Sequence, residues 1–324
     1  MSLLTKPEDL AQNLKFKGLI YGQPGIGKST LALSAPNPVV IDADNGMNRV
    51  APHLRVPSLQ VSSYAQILEL LESNELDIFD TIVFDTIGAV LEVMEPYLIK
   101  MNPKNAKNNG TLSLQGYGER KRTFNALVRI ANEKGKNILF VAHEKEEKDG
   151  ENKIIRPDIP GSSGADIIKI LDFVGYMEAK GAKRTISFYP TERYYAKNSL
   201  QLDDVIMVPD TKGGNVFISE KIVKMTKDRL QQQSELREKY NDIIKAGQQA
   251  ILSNKNPNDS VEVLKDFEVV WDSKLRLWNY LNEYAKDNGW AYDKAEKAYI
   301  KSKTEKTETK EKTLVDEFDK GESV

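Results

Sequence analysis

Eight consecutive residues, Gly22-Gln23-Pro24-Gly25-Ile26-Gly27-Lys28-Ser29, fit the pattern Gly-x-x-x-x-Gly-Lys-Ser/Thr, and Thr30 follows them. The glycines let the backbone turn its N–H groups inward around an anion, and the helix expected after the loop adds the positive end of its dipole. At this spacing the Lys28 amine reaches the β- and γ-phosphates of a nucleoside triphosphate, and the Ser29 hydroxyl is a ligand for Mg²⁺. The segment Gly22 to Thr30 is therefore the expected binding loop for ATP and Mg²⁺. GTP is disfavoured because the chain has no Asn-Lys-x-Asp sequence to read guanine.

Further polar residues end apolar runs. Asp85 closes TIVFD, where a carboxylate holds Mg²⁺ through water. Asp42 and Asp44 end VVIDADNG. Alternation sets them on one face, so one of the two is expected to address the nucleotide. Asp44 is the candidate that orients or deprotonates the attacking water; the alternative role there is a helix cap or turn. His143 closes NILFVAH at the sheet edge where open α/β folds bind ligands, which suits a sensor of the γ-phosphate. The alternative for His143 is a local hydrogen bond. The expected catalytic set is Lys28, Asp44, Asp85 and His143.

Positioning these groups requires strands alternating with helices. Residues 17–22, Pro38 to Asp44, Asp80 to Thr86 and Lys136 to His143 read as strands with little polar alternation, as in a parallel sheet covered on both faces. Helices are expected at SSYAQILELLES, from about Gly88, over about Glu119 to Lys134, and at ADIIKIL. A hairpin is expected around Asp149-Gly150, and RTISFYP and ERYYAKN read as paired strands. Beyond about residue 215 the sequence is helix-rich to Asn254 and again from about Ser260 to Asn288, with Trp271, Trp278 and Trp290 expected to pack it. The divisions expected are 1–215 for an ATP-binding domain, 216–300 for a helical appendage and 301–324 for a disordered charged tail.

Composition sets outer limits. The 324 residues carry a formal net charge of −2, no cysteine and two histidines, His53 and His143. Disulfides, thiol catalysis and cysteine-bound zinc are excluded, and no global basic field attracts nucleic acid. No run has the length and apolar character of a membrane span or signal peptide, so no membrane partner and a cytoplasmic location are expected, the host cytoplasm if the chain is phage-encoded.

Taken in order, GQPGIGKST, VVIDADNG, TIVFDT, NILFVAHEKEE and PGSSGADIIKILDFVGYM resemble a RecA-like P-loop NTPase core, most closely the phage RecA-like single-strand annealing group. The resemblance covers roughly residues 15–200. It implies a water-activating carboxylate at Asp44, a γ-phosphate-sensing residue at His143, and DNA-binding loops around Lys145 to Arg156 and Gly161 to Gly164. It also implies a homo-oligomer in which Arg193 or Lys197 reaches a neighbour's ATP. The function implied is ATP-dependent recombination or annealing on single-stranded DNA, with a single-strand DNA-binding protein or replication factor as a further partner. The alternatives are an AAA+ motor or loader, and a nucleotide-gated protein that recruits a replication partner.

Overall fold

The computed structural model describes residues 14–149, 152–160, 163–210 and 216–301. Strand β1 (Lys17–Gly22) is buried beyond its first residue and leads through the glycine loop into the short helix α1 (Lys28–Ala32). There follow β2 (Pro38–Asp42), β3 (Ser58–Gln60), α2 (Tyr64–Glu72), β4 (Thr81–Asp85), α3 (Ile87–Met101) and α4 (Leu114–Glu133). Next come β5 (Asn137–Asp149), β6 (Asn152–Pro157), α5 (Ser163–Ile170), β7 (Phe173–Lys180), β8 (Lys183–Ser187), β9 (Lys197–Asn198) and β10 (Val205–Val208). Side-chain caps fix helix starts locally. Thr86 accepts from the Ala89 N–H, and Ser113 from the Gly116 N–H.

The sheet runs in the order β10-β8-β7-β1-β5-β4-β2-β3. All pairs from β7 to β3 are parallel; β7–β8, β8–β10, β5–β6 and β7–β9 are antiparallel. Helices cover both faces, which is why the parallel strands read as continuous apolar runs. In β1, Leu19 and Tyr21 enter the core with Phe84, Phe140, Ile87 and Leu127, while Ile20 enters the opposite core with Leu31, Val141 and Met177. This is an α/β P-loop fold with a mainly parallel sheet. Because β5 lies between β1 and β4, the register sets His143 beside Gly22, Val141 beside Asp85, and Asp85 beside Asp42. The chemistry-bearing residues thus share the carboxyl edge of the sheet.

The chain divides into two compact units, Met1–Gln231 and Gln232–Val324. Phe217, Ile218 and Ile222, which follow the boundary expected at 215/216, pack into the core of the first unit with Phe16 and Leu31. The Ile218 N–H also donates to Ser34 Oγ at 2.9 Å. Helix α6 (Met225–Ser253) runs through the division. The second unit holds the rest of α6 with α7 (Pro257–Lys265), α8 (Ser273–Asp287) and a hairpin of β11 (Trp290–Asp293) and β12 (Ala298–Lys301). The charged segment 302–324 lies outside the described residues. None of the described helices is long and apolar enough to cross a membrane.

Several details correct the sequence reading. RTISFYP and ERYYAKN do not pair with each other: β8 pairs with β7 and β10, while β9, at the end of the second segment, pairs with β7. The helix-rich stretch expected from about Ser260 to Asn288 is divided into α7 and α8, between which Trp271 takes a positive φ of 50°. Trp278 and Trp290 pack beside Ile251 and Leu281, but Trp271 is 57% exposed.

Candidate functional site

The glycine loop is built as its chemistry requires. Gly25 and Gly27 have φ of 81° and 93°, a left-handed conformation that a side chain would strain. A Cβ added at Gly27 would also sit 2.7 Å from Arg184 Nη1, so β8 brings a guanidinium over the loop. Nothing in the sequence around Arg184 marks that role.

Lys28 is 5% exposed, and its Nζ donates to the Gln23 carbonyl at 2.6 Å. Burial pushes its amine down to about 8, against the opposing pull of Asp85, Glu144 and Asp44. Asp85 is equally buried, and burial raises its pKa. The hydrogen bond from Ser29 and the charge of Lys28 work against that rise, while Asp42 and Asp44 add to it. Both shifts have one origin: two ionisable groups held out of water.

Asp42 and Asp44 take different roles. Asp42, 1% exposed, accepts from the N–H groups of Gly46 at 2.8 Å and Met47 at 3.0 Å, which fixes the turn after β2. Asp44 lies past the end of β2, its N–H donating to the Asp85 carbonyl at 3.2 Å. Its carboxylate meets Arg49 Nη2 at 3.1 Å and lies 3.9 Å from His143 Nε2. The Nδ1 of His143 is buried without a hydrogen-bond partner among the described residues.

A cleft of 260 Å³ brings the set together. Gly25, Gly27, Lys28, Ser29, Thr30, Asp44, Asp85 and His143 line it, joined by Gly46, Arg49, Val50, Thr86 and Val141. Gly22 closes β1 behind the loop, Gln23 holds Lys28 through its carbonyl, Pro24 is exposed, and Ile26 packs against the core under α1. Arg193 and Lys197 are not among the residues that line this cleft. Arg193 Nη1 is 3.9 Å from Glu178, and Lys197 Nζ donates to the carbonyls of Ile168 and Lys169 at the end of α5.

A family model described as an AAA domain matches residues 14–200, more than half of the chain. The chain belongs to the AAA domain family. No curated protein matches it. This AAA domain is a nucleotide-binding P-loop NTPase domain, and the matched span holds every residue that lines the glycine-loop cleft. Mg²⁺, which AAA domains take with their nucleotide, fits the residues present. The Ser29 hydroxyl and the Asp85 carboxylate are already hydrogen-bonded, a pair of hard oxygens of the kind Mg²⁺ binds alongside substrate phosphates.

The depressed Lys28 amine carries a pH prediction. Phosphate binding requires the ammonium form, and the bound phosphates hold that proton on. Above pH 8 the complex therefore carries more protons than the empty protein, and the nucleotide dissociation constant should rise by up to about tenfold per pH unit. The folded pKa lies below the ordinary 10.5, so the protein's own stability rises with pH between about 8 and 10.5. Titrating a fluorescent ADP between pH 7 and 9.5 tests this; a flat affinity would show that Lys28 is not the titrating contact.

Proposed function

We propose that this AAA domain hydrolyses ATP and couples hydrolysis to single-stranded DNA, as a RecA-like recombination or annealing protein of phage or prophage type. The convergence of Lys28, Ser29, Asp44, Asp85 and His143 on one cleft supports hydrolysis. Lys28 and the loop N–H groups hold the β- and γ-phosphates, and Asp44 orients water and takes its proton as oxygen attacks the γ-phosphorus. Arg184 and Lys28 offset negative charge gathering on the leaving diphosphate. Mg²⁺, when bound at Ser29 and Asp85, neutralises phosphate charge.

The DNA reading is carried by one observation: β5 serves two sites. It ends its parallel pairing at His143 in the nucleotide cleft and continues into a hairpin with β6. Two residues on, Lys145 lines a separate 610 Å³ cavity with Arg156, Lys169 and Lys197, and with Tyr195 as an aromatic face. The loop at Gly161 and Ser162, also expected to touch DNA, lies outside the described residues. Glu147 bridges Lys145 at 2.9 Å and Arg156 at 3.0 Å, so the glutamates of this hairpin organise its cations, and a phosphate backbone would displace them. Lys197, first expected to reach across to a neighbour's ATP, is assigned to this cavity. Arg193, 63% exposed, is assigned the contact to a neighbouring copy in a homo-oligomer.

The decisive experiment is the ATPase rate with and without single-stranded DNA, with Lys28→Ala as control. Stimulation by DNA that the variant lacks is the expected result. DNA binding through about four cations should weaken about 10- to 50-fold between 50 and 200 mM salt. A rate indifferent to DNA, with no DNA retained, would remove the DNA reading and leave the ATPase. The AAA assignment then favours a motor or loader, for which ring assembly is the test. Against that second reading, the residue after Asp85 is Thr86, a helix cap, where such motors place a glutamate. Recruitment of a single-strand DNA-binding protein or replication factor through the second unit is the remaining role for a nucleotide switch.

A further inference from the structure

Arg49 stands at the mouth of the nucleotide cleft on a one-turn helix, Met47–Arg49. That turn is set by a buried anchor, because Asp42 binds the N–H groups of Gly46 and Met47. Its guanidinium, 70% exposed, lies 3.1 Å from Asp44 Oδ2, the oxygen that His143 Nε2 approaches at 3.9 Å. The carboxylate oxygen that Arg49 occupies in this way is not free to receive a hydrogen bond from a water molecule. The pair is also exposed on both sides, and pairs of that kind are easily given up. A terminal phosphate offers the guanidinium more charge and a bidentate partner in the same cleft.

We propose that Arg49 is the residue by which the site distinguishes ATP from ADP. In the empty or ADP-bound cleft it holds Asp44 inactive. When ATP enters, Arg49 moves to the γ-phosphate and releases the Asp44 carboxylate to the attacking water. The water oxygen then bonds to the γ-phosphorus, the bond to the β–γ bridging oxygen breaks, ADP leaves with that electron pair, and the proton passes to Asp44. Loss of phosphate returns Arg49 to Asp44. The inference rests on the ATPase reading above and adds a substrate sensor to it.

The test compares wild type, Arg49→Ala and Arg49→Lys in binding ADP, in binding an ATP analogue with a methylene β–γ bridge, and in single-turnover hydrolysis. For Arg49→Ala, ADP affinity should stay within about twofold and analogue affinity should fall about tenfold. Hydrolysis at saturation should fall on the order of 10², the scale of losing one charged stabilising group. Arg49→Lys should recover part of the analogue affinity and less of the rate, because an ammonium is a point charge without the fork. An unchanged ratio of analogue to ADP affinity, or equal loss of both, would overturn the proposal. Wild type that binds no more nucleotide than Lys28→Ala would instead remove the ATPase reading, and this inference with it.

Discussion

Replacing Lys28 with alanine should lower ATP turnover on the order of 10²- to 10³-fold while leaving the fold at least as stable as before. The two halves of this expectation have the same source. Lys28 is nearly sealed from water, and its amine has been pushed down to about 8. Without nucleotide, the folded protein holds a cation at neutral pH where a cation is disfavoured, compensated by one hydrogen bond to Gln23 and the charges of Asp85, Glu144 and Asp44. The alanine variant gives up that bond but no longer buries the charge. With nucleotide the balance should reverse, because the phosphates would add counter-charge at the amine, and the lysine contact would become worth most as the leaving oxygen gains charge. Turnover and thermal unfolding measured on one preparation test both halves. A melting temperature that drops by several degrees together with turnover would assign Lys28 a structural role.

The parts of this molecule that were legible in the sequence are those where local chemistry restricts residue type. Gly25 and Gly27 are readable because their backbone angles disfavour other residues, and Lys28 and Ser29 because they hold fixed places in the same short motif. Strands β1, β2, β4 and the first half of β5 are readable because burial on both faces demands unbroken apolar runs. What stayed hidden depends on approach through space. Arg49 reaches Asp44 only because Asp42 turns the chain back, and Arg184 reaches Gly27 only because β8 folds against β7, two strands from β1, which leads into the loop. The break at Trp271 was equally hidden, since a positive φ at a tryptophan has no local signature. Asp42 and Asp44 show the middle case. Alternation narrowed the two to one, but only the hydrogen bonds from Gly46 and Met47 show that Asp42 is the one already engaged.

Asp44→Asn separates binding from hydrolysis. ATP affinity should remain within about twofold, and hydrolysis should fall between about 10²- and 10⁴-fold, the usual contribution of a positioned general base. The amide keeps the shape of the carboxylate and an oxygen for Arg49, and the Asp44 N–H still donates to the Asp85 carbonyl, so the end of β2 keeps its place. What it loses is the capacity to take a proton. Asp42→Asn is the matching control. That carboxylate is buried and accepts two backbone N–H groups with its two oxygens, whereas an amide offers one oxygen and one group that must donate. Asp42→Asn should therefore lower the melting temperature by several degrees and weaken every function of the cleft together, including ADP binding. If Asp44→Asn hydrolyses ATP at the wild-type rate, water activation passes to His143, whose Nδ1 is buried without a partner in the same cleft, and His143→Gln becomes the variant that must fail.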